Sequence, residues 1–149
     1  MSDFFVNLKR FDVPESLGGV CPQENPEVWI KQVIDESIFL GLGNSEDIRL
    51  TYLIPESLII PALNRLKEYP QVQRSQINLG SQGVFRKDIE AGKNFGAFTT
   101  NLPAKAVVNL GCTWSIIGHS EERADKFGLL REFEPKISED AVLRSEANK

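Results

Sequence analysis

The sequence has few of the residues from which metal sites, disulfide frameworks and membrane anchors are built. It contains one histidine and two cysteines, Cys21 and Cys112, which stand far apart in a chain of 149 residues. Their spacing fits neither a zinc motif nor a CxxC redox pair, so reduced thiols are the simplest interpretation. No apolar run approaches the roughly 20 residues of a membrane span, and the N-terminus does not have the form of a signal peptide. These absences predict a cytoplasmic protein with no metal and no membrane partner.

The sequence also lacks an excess of positive charge. It has 17 basic and 21 acidic residues, which gives a net charge of −4. Without a basic stripe, the chain is not expected to bind nucleic acid. Its 41% hydrophobic and 26% charged residues are typical of a globular protein. The length suits one domain, so we expect a single domain over residues 1–149.

Segments with strand-like and helix-like patterns alternate along the chain. Short apolar and β-branched runs predict strands at 4–8, 48–54, 76–80 and 112–117. Helical spacing with capping and breaking residues predicts helices at 26–40, 58–66 and 103–110, with a further helix in the tail 138–149. The first strand is expected to be buried on both faces. Such alternation predicts an α/β fold with a parallel sheet and right-handed crossovers.

Polar residues stand where two of these strands end. Asn7 and Lys9 stand at the carboxyl end of the first strand, while His119 and Glu121 follow the fourth. Active sites of parallel α/β proteins form at the carboxyl ends of the strands, which makes these four residues candidates. On spacing alone, His119 could instead be a structural histidine and Lys9 an ordinary exposed lysine. Glu121 would also suit the first turn of a solvated helix.

Four motifs together resemble one known family. Gly118-His119-Ser120-Glu-Glu-Arg123, preceded by Leu110-Gly-Cys-Thr-Trp-Ser-Ile-Ile117, resembles the fourth strand and catalytic loop of the triosephosphate isomerase family. Val6-Asn7-Leu8-Lys9 resembles its first-strand Asn-x-Lys motif, and Gly80-Ser81-Gln82 the end of its third strand. Gly96-Ala-Phe-Thr99 resembles its third loop, which reaches into the partner subunit. The four motifs stand in the order that the family has.

The resemblance implies a TIM (βα)8-barrel fold, of which this chain would cover about the first four βα units. It implies interconversion of dihydroxyacetone phosphate and glyceraldehyde 3-phosphate by acid/base proton transfer, without a cofactor or a metal. The implied partners are a small phosphorylated triose and a second subunit in a homodimer, with Phe98 and Thr99 at the dimer interface.

The resemblance also implies roles for the candidate residues. His119 would polarise the substrate carbonyl as a neutral imidazole. Lys9 would supply positive charge where the enediolate develops. Asn7 would hydrogen-bond the substrate and hold Lys9 in place. Glu121 would be the family's buried acidic residue and would contact Lys9.

Departures from the family pattern leave the substrate preference open. Leu8 replaces the usual Trp, Arg10 follows the motif lysine in place of Met, and Thr100 and Asn101 replace the usual Gly-Glu. A paralogous sugar-phosphate isomerase would keep His119 and change such neighbours.

The sequence matches only part of a complete barrel, which needs eight strands and about 250 residues. The glutamate base and the phosphate-binding glycines of the family's later strands have no counterpart in it. We therefore expect a fragment of a longer protein that is inactive alone. The alternative is a non-catalytic half-barrel that self-associates, because four βα units leave two open sheet edges.

Overall fold

The computed structural model describes residues 1–94 and 96–147. Its strands are β1 (Ser2–Asn7), β2 (Ile48–Ile54), β3 (Ile77–Ser81) and β4 (Trp114–Ser115). Neighbouring strands pair in parallel in the order β1-β2-β3-β4. The helices are α1 (Pro26–Phe39), α2 (Glu56–Lys67), α3 (Gln71–Arg74), α4 (Ala104–Leu110), α5 (Ser120–Phe133) and α6 (Glu139–Ala147), with 3-10 turns at Glu15–Leu17 and Leu42–Asn44. The predicted α/β arrangement of successive βα units is confirmed.

The helix predicted at 26–40 is present as α1, with the predicted cap. The Asn25 side chain accepts a hydrogen bond from the backbone N–H of Glu27 at 3.0 Å, and Pro26 occupies the first helical position. Ile30 and Ile34 lie one turn apart and are fully buried against the sheet. The helical spacing of the apolar residues therefore determined which face of α1 is buried. The tail helix, predicted to reach residue 149, is described as far as Ala147; the last two residues lie outside the described part.

The core lies between one face of the sheet and helices α1 and α2. Ile54 of β2 and Ile59 of α2 are fully buried in it. The two helices are also joined by a two-pronged ion pair, in which the Arg65 guanidinium donates to both Asp35 oxygens at 2.5 and 2.8 Å. This hydrogen bonding holds the pKa of Asp35 below its usual range.

The first strand is not buried on both faces, so that prediction was wrong. Phe4, Phe5 and Val6 are 52%, 47% and 38% exposed. Strand β1 lies at the edge of the sheet, and within the described residues β2 is its only neighbouring strand. An edge strand with one neighbour cannot bury its side chains as a central parallel strand does.

The fourth strand is shorter than predicted and its tryptophan is not a core residue. Only Trp114 and Ser115 form the strand, although backbone bonds from Thr113 to Leu79 (3.0 Å) and from Ile116 to Ser81 (3.1 Å) flank it. Trp114 is 42% exposed and meets Phe5 edge-to-face, with ring centroids 4.9 Å apart. Because β4 is also an edge strand, its large side chain has neighbours on one side only.

Helix α5 is longer than expected. The sequence indicates only a first helical turn around Glu121, but the helix runs from Ser120 to Phe133. No residue of α5 is buried, because its apolar and charged side chains do not separate into two faces. Among the described residues, no helix is long and apolar enough to cross a membrane.

Candidate functional site

The carboxyl ends of β1 and β4 open onto one cavity of about 440 Å³. Its lining includes Asn7 and Lys9 from the end of β1 and His119 and Glu121 from the segment after β4. The structure thus brings together the four residues that the sequence proposed for catalysis and substrate binding. Parallel pairing explains this placement, since all four strands end at the same edge of the sheet.

On the β1 side, Lys9 has an unusual backbone conformation. Its φ of +41° lies in the left-handed region, and it is the only residue other than glycine with a positive φ among those described. The Lys9 N–H donates to Asn7 Oδ1 at 2.9 Å. Leu8 N–H donates to the Leu53 carbonyl at 2.9 Å and extends the sheet ladder to the start of this turn. The Asn7 side chain is therefore placed where it can fix the backbone of Lys9.

Gln82, directly after β3, holds the same turn from the other side. Its Nε2 lies 2.6 Å from the Lys9 carbonyl oxygen, 3.1 Å from Asn7 Oδ1 and 3.3 Å from the Leu53 carbonyl oxygen. In the sequence, Gln82 stands out only as part of a strand end. Its role could have been inferred from its position, because a primary amide at the carboxyl end of a predicted strand can bridge backbone and side-chain acceptors.

On the β4 side, His119 begins helix α5. Its Nδ1 accepts the N–H of Glu121 at 3.3 Å, so the ring serves as the N-cap of the helix. With Nδ1 as acceptor, the neutral ring carries its proton on Nε2. The side chain is 37% exposed and lines the cavity, so this N–H is available to a bound acceptor.

Glu121 is not the buried residue that was expected. Its side chain is 91% exposed, and its Oε2 lies 3.7 Å from His119 Nδ1. Within the described residues it forms no ion pair with Lys9. The physical reason is its place in the first turn of α5, where an acidic side chain facing solvent is favoured by the helix dipole.

Phe98 and Thr99 lie in the long loop between β3 and α4, away from the cavity lining. Phe98 packs edge-on against Phe85, with ring centroids 5.4 Å apart, while Thr99 is exposed. Asp88 closes the base of the loop by accepting the Lys105 N–H at 3.1 Å. Hydrogen bonds from backbone N–H groups, first that of Lys105, lower the pKa of Asp88.

The cavity presents an ammonium, a carboxamide and an imidazole, a set that can stabilise a developing oxyanion and exchange protons with a bound carbonyl compound. Across residues 1–94 and 96–147, no group of three or more His, Cys, Asp or Glu side chains is placed to hold a metal ion.

The chain consists of successive parallel βα units, and its polar side chains collect at the carboxyl ends of the strands. This arrangement defines it as part of a βα-barrel enzyme. The sequence model of the triosephosphate isomerase family matches residues 44–139, well over half of the chain. The chain belongs to the triosephosphate isomerase family.

Two curated relatives agree with this assignment. The chain is 38% identical over 69 residues to the triosephosphate isomerase of Endomicrobium trichonymphae, a match that covers 46% of this chain and 25% of the relative. It is 36% identical over 89 residues to that of Roseiflexus sp. (strain RS-1), covering 60% of this chain and 30% of the relative. The matched region is thus less than a third of the length of either relative.

Proposed function

We propose that the complete protein is a triosephosphate isomerase, which interconverts dihydroxyacetone phosphate and glyceraldehyde 3-phosphate without a cofactor. The observation that carries this proposal is the single cavity that joins Asn7 and Lys9 from β1 with His119 from β4. Family membership over residues 44–139 supports the same chemistry.

Each of these side chains has a role that its position supports. Lys9 has no ion-pair partner among the described residues, so its charge is available to the anionic substrate and to the enediolate. His119 donates from Nε2 to the substrate carbonyl, and Asn7 binds substrate while it fixes Lys9. Glu121, at the edge of the cavity, adds a carboxylate beside the imidazole.

We also propose a cytoplasmic homodimer whose interface includes Phe98 and Thr99. Support comes from the packed base of their loop, which presents Thr99 at the surface. Two buried cysteines, both present as thiols, suit a reducing compartment.

The chain by itself is proposed to be catalytically silent, because none of the three carboxylates at the cavity is placed as a base: Glu121 faces solvent with 91% of its side chain exposed, and the other two face cations. Glu56 lies 3.5 Å from the Arg10 guanidinium, and Glu122 contacts Lys126 at 2.8 Å. Each carboxylate already faces a cation of the same chain, so neither is placed to remove a proton from substrate.

An isomerase assay tests both statements. The purified chain is assayed alone and after mixing with a segment that supplies the remaining barrel strands of the family, with His119→Gln as the catalytic variant and Asp3→Asn as the control. Only the mixture should turn over, and H119Q should lower its rate by roughly 10²-fold or more. A folded mixture without activity would contradict the isomerase proposal. If the chain alone turned over substrate and H119Q abolished that turnover, only the proposal that the chain alone is inactive would be contradicted.

A second candidate is a non-catalytic half-barrel that pairs with its own copy. The exposed aromatic and aliphatic side chains of edge strand β1, Phe4, Phe5 and Val6, favour it. Sedimentation over a range of concentrations should then show a dimer that Phe4→Lys dissociates. Phe39→Lys, at a 90% exposed site on α1, serves as control. A monomer at every concentration would exclude this candidate.

A third candidate, a paralogous sugar-phosphate isomerase, is favoured by Arg10, which lines the cavity beside Lys9. Comparing kcat/KM for triose phosphates and longer phosphorylated sugars in the complemented protein, with and without Arg10→Met, distinguishes it. Higher kcat/KM for a longer sugar phosphate would support the paralogue.

A further inference from the structure

Asp12 joins the turn after β1 to the beginning of helix α2. Its side chain is only 10% exposed. One oxygen, Oδ2, accepts hydrogen bonds from the Arg10 guanidinium at 2.5 Å and from the Ser57 hydroxyl at 2.7 Å. The other, Oδ1, is buried and has no hydrogen-bond partner among the described residues. A buried carboxylate oxygen without a donor disfavours the folded state, which points to a role other than stability.

The nearby residue that needs support is Lys9. A left-handed backbone at a residue with a side chain persists only where its surroundings hold it. Asn7 and Gln82 bind the amide and carbonyl groups of Lys9. Backbone hydrogen bonds from Phe11 N–H to the Leu8 carbonyl (3.3 Å) and from Val13 N–H to the Arg10 carbonyl (3.1 Å) close the turn, but none of these contacts attaches the chain after Lys9 to a helix.

The Arg10–Asp12–Ser57 contacts supply that restraint. The Arg10 guanidinium is bound by Asp12, and Asp12 is bound in turn to the first turn of α2 through Ser57. Phe11, which lies between Arg10 and Asp12 in the sequence, stacks on Trp29 of α1, with ring centroids 4.4 Å apart and planes at 10°. The outgoing chain is therefore attached to two helices that belong to the core.

We propose that Asp12 is a positioning residue that keeps Lys9 in its left-handed conformation, with the ammonium at the cavity, by fixing Arg10 to the start of α2. The proposal rests on the role of Lys9 in the proposed function. Arg10, where the family usually has Met, then serves to bind Asp12 and does not act as a second substrate-binding cation.

The test uses the full chain labelled for NMR, with Asp12→Asn as the main variant. The substitution keeps the shape of the side chain and an acceptor for Ser57. It removes the nearer of the two carboxylates that face Arg10, the other being Glu56 at 3.5 Å. Asp3→Asn is the matched control, because it removes an exposed ion pair with Arg49 (3.6 Å) at the opposite end of β1. Couplings that report φ at Lys9 are measured together with thermal stability and the affinity for glycerol 3-phosphate.

In D12N, Lys9 should leave the positive-φ region, and the affinity for glycerol 3-phosphate should fall roughly fivefold to tenfold. D3N should change neither property. A positive φ at Lys9 in folded D12N would overturn the proposal, whatever the binding result. If the wild-type chain binds no glycerol 3-phosphate but D12N still changes φ, the positioning role stands and the proposed function is weakened.

A second variant covers the case in which D12N does not fold. Arg10→Met removes the same ion pair through a side chain that is 61% exposed, so it is expected to fold. It should shift φ at Lys9 as D12N would. An unchanged φ in R10M would overturn the proposal equally.

Discussion

Replacing Gly80 with Ala should separate β4 from β3. A Cβ at this position would lie 2.7 Å from the Trp114 carbonyl oxygen and 2.7 Å from Leu53 Cδ2. The Leu53 side chain can rotate away, but the Trp114 carbonyl moves only if β4 moves. Strand β4 pairs with β3 through two residues, so it has few bonds that resist this shift. Overpacking of this kind costs about 1–3 kcal/mol in the free energy of unfolding.

Thermal and urea unfolding, followed by far-ultraviolet circular dichroism, measure this cost. For a chain of this size, Tm should fall by roughly 2–4 °C for each kcal/mol lost. Gly83→Ala is the matched control, since a Cβ there would meet no atom within 4 Å. If G80A were no less stable than G83A, the close approach of the two strands would be refuted. The Phe5–Trp114 ring contact should be disturbed only in G80A.

Three further predictions follow from single contacts. Arg65→Met should lower the free energy of unfolding modestly at neutral pH, because it removes an ion pair with Asp35 that solvent partly screens. Since the folded-state pKa of Asp35 is lowered, this contribution is fully present above its unfolded value near 4 and is lost progressively as the pH falls through the folded value; urea titrations should therefore show a smaller difference between R65M and wild type at pH 3 than at pH 7. Gln82→Ala should lower the free energy of unfolding by roughly 1–3 kcal/mol through its lost hydrogen bonds, and an unchanged urea midpoint would contradict this. The Cys112 thiol should react with a disulfide reagent only after unfolding, because burial shields it and raises its pKa; prompt reaction in the native protein would contradict its buried position.

Elements defined by local signals were predictable from the sequence. Helix α1 followed from Asn25, Pro26 and the spacing of Ile30 and Ile34, all of which act within one segment. The exposure of Phe4 and Trp114 did not follow, since burial of a strand depends on the strands beside it. The length of α5 was also missed, because a helix without an apolar face has no periodic signal.

The candidate site divides in the same way. Asn7, Lys9 and His119 were found because the ends of parallel strands converge whatever the details of packing. Gln82 and Asp12 were not assigned their contacts, since the first bonds Lys9 across 73 positions and the second bonds Ser57 across 45. Glu121 was expected to be buried, whereas its direction is set by the helix that begins beside it.

The strand order has a consequence for synthesis. Each strand pairs with the one that precedes it in the chain, so every new βα unit finds its partner already made when it leaves the ribosome. Among the described strands, β2, β3 and β4 each add to a strand already made, so no pairing between them has to open to admit another. The order of translation and the order of assembly therefore coincide, which keeps sequence separations short and shortens the time each new edge is exposed during folding.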